Sequence, residues 1–450
     1  MSGGKYDMNI QLSEHFGYRK LLRFTLPSIV MMVFTSIYGV VDGVFVSNYV
    51  GAESFAAVNL IMPFLMILGA VGFMLGTGGS ALVSFTLGTG QTRKANEIFS
   101  LLIYVLIVVG AVFTVGGILL LEPMARLLGA DETLLPVCVS YGRIVLAALV
   151  PYMLQNTFQS FLITAERPHF GLYITIAAGV SNMVLDALFI AGFHWGVEGA
   201  ALATAISQFI GGVIPLVYFI LPNQSKLRLC RAKPDLQSLA KACLNGSSEF
   251  MSNISMSVVN MLYNWQLMRL MGANGVAVFG VIMYVNFIFV AVFLGYSIGS
   301  APIVSYHYGA GNRTELQGLF RKSLWLVGIM SVVLTAAAIL LARPLSLIFV
   351  SYDPELLSTT IRAFSIYSVS FLLVGFNIFA SSFFTALNDG LTSALISFGR
   401  TLVFEVVAVL VLPLFLGIDG VWSAVIAAEG MALVLSLVCL VRNRKKYGYV

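Results

Sequence analysis

The chain has 450 residues, 59% of them hydrophobic and only 10% charged, with a mean hydropathy of +0.93. A soluble domain carries about 25% charged residues, so this composition excludes a soluble enzyme or binding module and points to a polytopic membrane protein. The net charge of +5 follows membrane topology instead of gathering in one patch, which argues against a nucleic-acid partner.

A spanning helix needs about 20 apolar residues. Such stretches fall at 20–49, 53–87, 95–120, 134–164, 168–191, 197–221, 236–270, 274–307, 316–342, 354–385, 390–415 and 418–441. The expected fold is all-α, with twelve transmembrane helices. The polar first 20 residues precede an apolar run too long for a signal-peptide core, so no cleavable signal is expected. Lys5, Arg19, Lys20, Arg23, Arg93, Lys94, Arg167, Lys226, Arg228, Arg231, Lys233, Lys241, Arg313, Arg321, Lys322, Arg442, Arg444, Lys445 and Lys446 all fall to one side of these helices. The positive-inside rule makes that side cytoplasmic, and with it both termini.

Pro222 to Asp235 is basic, bounded by proline, and reads as a linker between two six-helix halves. The expected division is a cytoplasmic segment at 1–19, a first lobe at 20–221, the linker at 222–235, a second lobe at 236–441 and a basic tail at 442–450. The halves are repeats: a shift of 221 residues takes Gly88 to Gly309, Pro123 to Pro344 and Thr164-Ala165 to Thr385-Ala386 without a gap. Six helices per half keep the same membrane orientation, so the expected pseudo-two-fold axis runs along the membrane normal. Two facing bundles favour a central cavity and alternating access.

Five acids lie inside apolar helices: Asp42, Asp186, Glu249, Glu405 and Glu429. A charge at the bilayer centre costs about 2.5–3.5 kcal/mol on insertion scales, so each is a functional candidate. The repeat sorts them. Asp42, Asn182, Asp186 and Thr204 fall on Tyr263, Val403, Val407 and Val425. The first half is acidic or amide-bearing where the second is not, and Asn182 and Asp186, four apart, share a helix face. Two carboxylates, an amide and a hydroxyl suit Na⁺, which takes oxygen ligands, and they suit a proton equally. Asp42, Asn182, Asp186 and Thr204 are therefore the candidate H⁺ or Na⁺ site. Hydrogen bonding between helices is the structural alternative.

Tyr38, Tyr141, Gln155, Gln159, Glu249 and Glu429 are candidates for a substrate cavity. Glu249 serves a cationic substrate or a structural hydrogen bond, Glu429 lines the cavity between the halves or is a protonated structural acid, and the sequence leaves both open. Pro27 kinks the first helix about four turns before Asp42, either as a static bend or as a hinge that answers the charge on that acid. No nucleotide-binding or catalytic motif occurs. Gly76-Thr77-Gly78-Gly79 lies at membrane depth and lacks the lysine of a phosphate loop. The four histidines do not cluster, and Cys138, Cys230, Cys243 and Cys439 have no metal-ligand spacing, so no disulfide framework or cofactor is expected.

Tyr38-Gly-Val-Val-Asp42, the glycine-rich run into Leu87-Gly88-Thr-Gly90, and Asn182-Met-Val-Leu-Asp186 with Gly196-Val-Glu-Gly199-Ala-Ala-Leu-Ala-Thr204 resemble the multidrug and toxic compound extrusion (MATE) transporters of prokaryotes. The resemblance runs from about Leu21 to Lys446. It implies two six-helix bundles exporting organic cations and other amphipathic compounds from the cell, in exchange for H⁺ or Na⁺. In the DinF-like branch the ion site is an Asp on helix 1, an Asn and an Asp on helix 5 and a Thr on helix 6, which fall on Asp42, Asn182, Asp186 and Thr204. A helix-1 proline and a helix-4 tyrosine of that branch match Pro27 and Tyr141. The acidic pair of the NorM-like branch has no clear match. The expected protein is not an enzyme. It sits as a monomer in a prokaryotic plasma membrane, and its partners are small organic cations and the lipid bilayer. The alternatives are a lipid-linked precursor flippase, which the mainly acidic buried charge disfavours, or an exporter of an endogenous metabolite.

Overall fold

The computed structural model describes residues 10–350 and 353–450; Lys5 lies outside them. Every regular element among the described residues is helical. In the first half these are α1 (Tyr18–Phe45), α2 (Ala52–Gly88), α3 (Thr92–Leu127), α4 (Leu134–Ala147), α5 (Leu149–Thr164), α6 (Pro168–Asp186) and α7 (Gly196–Ile220). The second half holds α8 (Leu236–Met271), α9 (Ala273–Gly309), α10 (Arg313–Val350), α11 (Pro354–Ser368), α12 (Phe371–Ala386), α13 (Gly390–Phe398), α14 (Glu405–Leu416) and α15 (Ile418–Tyr447).

Nine helical spans among the described residues are long and apolar enough to cross a membrane. Two bent pairs, α4 with α5 at 54° and α11 with α12 at 45°, bring the number to 11. The twelfth is α8, 36 residues long but interrupted by Asn245, Ser247, Ser248, Glu249, Ser252 and Asn253. The sequence predicts 134–164 and 354–385 as one helix each, and both are bent. Pro151 explains the first bend, because it removes the hydrogen bond to the carbonyl of Ala147. The second falls at the matching repeat position with Leu372 in place of Pro151, so a bend forms there without proline.

Each lobe has its own apolar core. In the first, Phe99 packs on Phe161 and Phe219 at 4.8 and 4.9 Å between centroids, and Phe158 stacks on Phe219. Phe320 and Phe379 stand at the repeat positions of Phe99 and Phe158, and they join Phe383 and the buried Tyr449. The connection between the lobes is not loose. Arg228 N donates to Asn96 Oδ1, Cys230 N donates to Ser100 Oγ, and Leu227 is buried.

The lobes meet through α1 on α9, α2 on α8, and a crossing of α2 with α9. At that crossing a Cβ on Gly88 would stand 2.1 Å from the Tyr306 carbonyl oxygen, and one on Gly309 would stand 2.1 Å from that of Phe85. These contacts are exchanged by the repeat, which is the signature of a two-fold axis. A Cβ on Gly78 would lie 2.2 Å from Ala242 O, and one on Gly246 would lie 1.9 Å from Met74 O. Helices therefore touch backbone to backbone. These contacts lie in the halves of the helices nearest the face that carries Tyr18 and Tyr447, and the lobes are packed together there.

The C-terminal tail is tied to the same face. Tyr447 Oη donates to Asp389 Oδ2 at 2.6 Å, and Lys446 stands 3.7 Å from it. Burial pushes the Asp389 carboxyl up, but the donors from Tyr447 and Thr392 and the charge of Lys446 outweigh it and hold it below the usual range. A depressed folded value means that its stabilisation is present at neutral pH and is lost as the pH falls through that value. Asp389→Asn is expected to lower the thermal midpoint at pH 7, by about 1–3 kcal/mol of charged hydrogen bonding, and to lose the difference from wild type in acid. A thermal melt in detergent at both pH values reads this.

Candidate functional site

A cavity of about 340 Å³ lies inside the first lobe. Asp42 enters it from α1, Asn182 from α6 and Thr204 from α7, and Tyr38, Tyr141, Gln155 and Gln159 also line it. Asp186 lies one helical turn from Asn182 on α6 and is 0% exposed. The carboxyl groups of Asp42 and Asp186 are within electrostatic reach of each other. Asp42 Oδ1 and both oxygens of Asp186 are buried without a donor among the described residues. Burying an ionised carboxylate with no partner is costly, and two facing each other cost more.

The backbone around this pair is irregular. A π-helical segment, Val46–Val50, follows α1 just beyond Asp42, and another, Ala187–Gly192, begins at the residue after Asp186. Such segments concentrate at functional sites, because the wider turn re-aims side chains. The chain then reverses through His194, whose φ of 56° is left-handed, and through Trp195, whose N donates to Phe189 O. That reversal lays α7 back against α6 and brings Thr204 to the cavity.

Tyr152, Asn156, Ser207 and Gln208, none of them a sequence candidate for the site, also line the cavity. A signal existed for two of them. Asn156 and Gln208 fall on Asn377 and Glu429 in the repeat, so both positions are polar in both halves. Pro27 is buried inside an unbroken α1.

The structure does not bring Glu249 or Glu429 into this cavity. Both belong to a cluster in the second lobe, together with Glu405. Glu429 Oε1 stands 3.3 Å from Arg400 Nε, and its Oε2 accepts from Asn377 Nδ2 at 2.7 Å. Asn377 Oδ1 in turn accepts from Ser436 Oγ at 3.0 Å. Glu249 is within electrostatic reach of Arg400, and Glu405 of Glu429 and Arg400. Tyr263, the repeat counterpart of Asp42, is buried beside Glu405. Arg400 itself sits in a third π-helical segment, Gly399–Phe404, immediately before Glu405.

The two lobes thus solve the problem of buried carboxyls differently: the second supplies a guanidinium, and the first supplies no cation among the described residues. Arg400→Met removes the cation paired with Glu429 and is expected to destabilise the protein by about 3–5 kcal/mol, as breaking buried ion pairs does. Arg400→Lys should recover part of that loss. Thermal melts of the two variants test the order wild type, Lys, Met.

The MatE family matches residues 27–188 and 250–411, one segment in each lobe. The chain is similar to the multidrug export protein MepA of Staphylococcus haemolyticus strain JCSC1435, at 24% identity over 430 residues, covering 95% of this chain and 94% of that protein. Among solved structures it is similar to the outward-facing conformation of a multidrug resistance MATE family transporter of the MOP superfamily, at 23% identity and a TM-score of 0.90, with 97% of each chain covered. It is also similar to a MOP superfamily transporter from Pyrococcus furiosus described as having reverse polarity of its binding pocket, at 22% identity and a TM-score of 0.89, with 99% of each chain covered. At these identities the solved structures establish a shared fold of twelve helices in two lobes.

Proposed function

Because this chain belongs to the MatE family, a family of membrane transporters and not of enzymes, we propose that it is a secondary active multidrug antiporter. It exports organic, often cationic, compounds in exchange for H⁺ or Na⁺ by alternating access. The coupling ion binds at Asp42 and Asp186, with Asn182 and Thr204 as further oxygen ligands. The substrate leaves through the space between a first lobe at 20–221 and a second at 236–441, joined by the linker at 222–235. The protein works as a monomer in a prokaryotic plasma membrane, with the face that carries both termini towards the cytoplasm.

One observation carries this reading. Asp42 and Asp186 face each other beside a cavity with no cation of their own, whereas the second-lobe carboxyls have Arg400. Repulsion between two like charges in a water-poor site is removed by a proton or a cation between them. Pairing of that kind is reversible and favours whichever conformation holds the two helices together. An ion and a substrate that favour different conformations, or that compete for one, are coupled by the difference. The orientation is supported by the basic residues Lys20, Arg23, Arg93, Lys94, Lys226, Arg313, Lys322, Arg444 and Lys445 around the closed face. A monomer is supported because each cluster is complete within one lobe of one chain.

The test is efflux of a fluorescent organic cation from proteoliposomes, with the Na⁺ and H⁺ gradients imposed separately. One gradient should drive efflux and its collapse should stop it. Efflux indifferent to both gradients would contradict antiport. The second reading, export of an endogenous metabolite, is favoured by the Pyrococcus furiosus neighbour, whose reverse pocket polarity is described as suggesting a different function. Competition between the fluorescent cation and a lipid-extracted cell lysate would reveal it.

A further inference from the structure

We propose that residues 10–17 are a latch that bridges the two lobes at the face carrying the termini and holds that face closed. Leu12 N donates to Glu166 Oε1 at 2.8 Å, and the same oxygen is 2.8 Å from Lys226 Nζ. Glu166 lies between α5 and α6, so this end of the segment is held by the first lobe. Four residues on, Phe16 N donates to Glu315 Oε1 at 2.9 Å, and His15 Nδ1 is 2.6 Å from Glu315 Oε2. Lys322 Nζ donates to Phe16 O. Glu315 and Lys322 are on α10, so this end is held by the second lobe.

The segment is also sealed by apolar contact. Leu12 and Phe16 are 1% and 0% exposed, and Phe16 packs edge-on against Phe24 of α1 and His307 of α9. A chain terminus without a docking role is usually poorly ordered. This one has a backbone donor committed to a carboxylate of each lobe and one buried side chain beside each donor.

The repeat supplies an independent argument. The segment before α1 corresponds to the segment before α8. That second segment crosses α3 of the first lobe, through Arg228 N on Asn96 and Cys230 N on Ser100. The first crosses α10, which is the repeat counterpart of α3. The two straps lie on either side of the pseudo-two-fold axis, and each grips the lobe that its own helix does not belong to. The linker is covalent at both ends and cannot let go. The N-terminal strap is held on the second lobe by Glu315, Lys322 and the packing of Phe16 on His307, all of them non-covalent, so it is the strap that can release. Its consequence for transport rests on the antiporter reading above, whereas its effect on the seam between the lobes does not.

Native Cys243 reports that seam. It lies on α8, half-buried against the core of the first lobe. The experiment follows its alkylation by a bulky polar maleimide in the purified full-length protein, read by peptide mass spectrometry, with linker Cys230 as the reference. Glu315→Gln, Glu166→Gln and the double variant are compared with wild type, and surface Lys322→Met stands in should a glutamate variant fail to fold. Release of the latch should raise the Cys243 rate about 5-fold or more, with the double variant fastest, and leave the Cys230 rate unchanged. A Cys243 rate equal to wild type in the double variant, or in Lys322→Met, overturns the latch. Efflux measured on the same proteins separates the two readings. A faster Cys243 with no ion-driven efflux by wild type keeps the latch and removes the antiporter. An unchanged Cys243 with normal wild-type efflux does the reverse.

Discussion

Asp186→Asn is expected to abolish ion-driven efflux while leaving the protein at least as heat-stable as wild type. The two halves of that expectation come from one geometry. Asp186 is fully buried, both its oxygens lack a donor among the described residues, and it is within electrostatic reach of another carboxyl, Asp42. An amide in its place removes a buried like charge and offers an N–H to Asp42, so the folded state gains. The same change removes the reason for an ion to bind. A coupling free energy of about 1–3 kcal/mol corresponds to about 5–150-fold in affinity, and efflux should fall by at least the lower bound. Asp42→Asn should behave alike, and the pair together should be no worse than either alone, because each single change already empties the site. Thermal melts and proteoliposome efflux on the three variants decide it. A variant that melts several degrees lower and still pumps would make Asp186 a structural residue.

Gly246→Val is expected to stop transport by a different route, without touching either cluster. Its Cβ would stand 1.9 Å from the carbonyl oxygen of Met74, and the obstacle is backbone, which no rotamer change relieves. Overpacking of a core side chain costs about 1–3 kcal/mol, and a clash between two backbones exceeds that. The conformations of a transporter differ by only a few kcal/mol, so the lobes should part at this seam while each remains folded on its own core. Spin labels at exposed Arg93 and at Thr314, its repeat counterpart, measure the separation. The distance should lengthen in Gly246→Val and stay as in wild type in Gly430→Val, where an added Cβ meets nothing within 4 Å. An unchanged distance with normal efflux would mean that the closed seam is not part of the cycle.

Much of this architecture is legible in the sequence, because hydropathy and repetition act over long stretches. The twelve helical spans follow from runs of apolar residues, and the two-fold relation follows from glycines such as Gly88 and Gly309, which recur because backbones touch there. The spacing of Asn182 and Asp186 fixes their common helix face, and their loss in the second half marks the first as different. What is not legible depends on tertiary placement. The bends at Ala148 and Val369 leave no break in hydropathy. A π-helical segment needs one extra residue per turn and has no compositional mark, so the turns beside Asp42, Asp186 and Arg400 cannot be read in advance. Arg400 gains its meaning only when α8, α14 and α15 bring Glu249, Glu405 and Glu429 around it. The same is true of residues 10–17. Their polar, aperiodic sequence reads as a free segment, yet Leu12 and Phe16 are among the most deeply buried side chains.

The most direct test of the first-lobe ion site is the ion released when substrate binds. Purified protein in weakly buffered detergent solution is titrated with the fluorescent cation while an indicator dye reads protons and an electrode reads Na⁺. The expected result is release of one kind of cation by wild type, and none by Asp42→Asn or Asp186→Asn at a substrate concentration that still saturates them. Undiminished release from both variants, with loss of release on changing Glu249, Glu405 or Glu429 instead, would contradict it and move the coupling site to the second lobe.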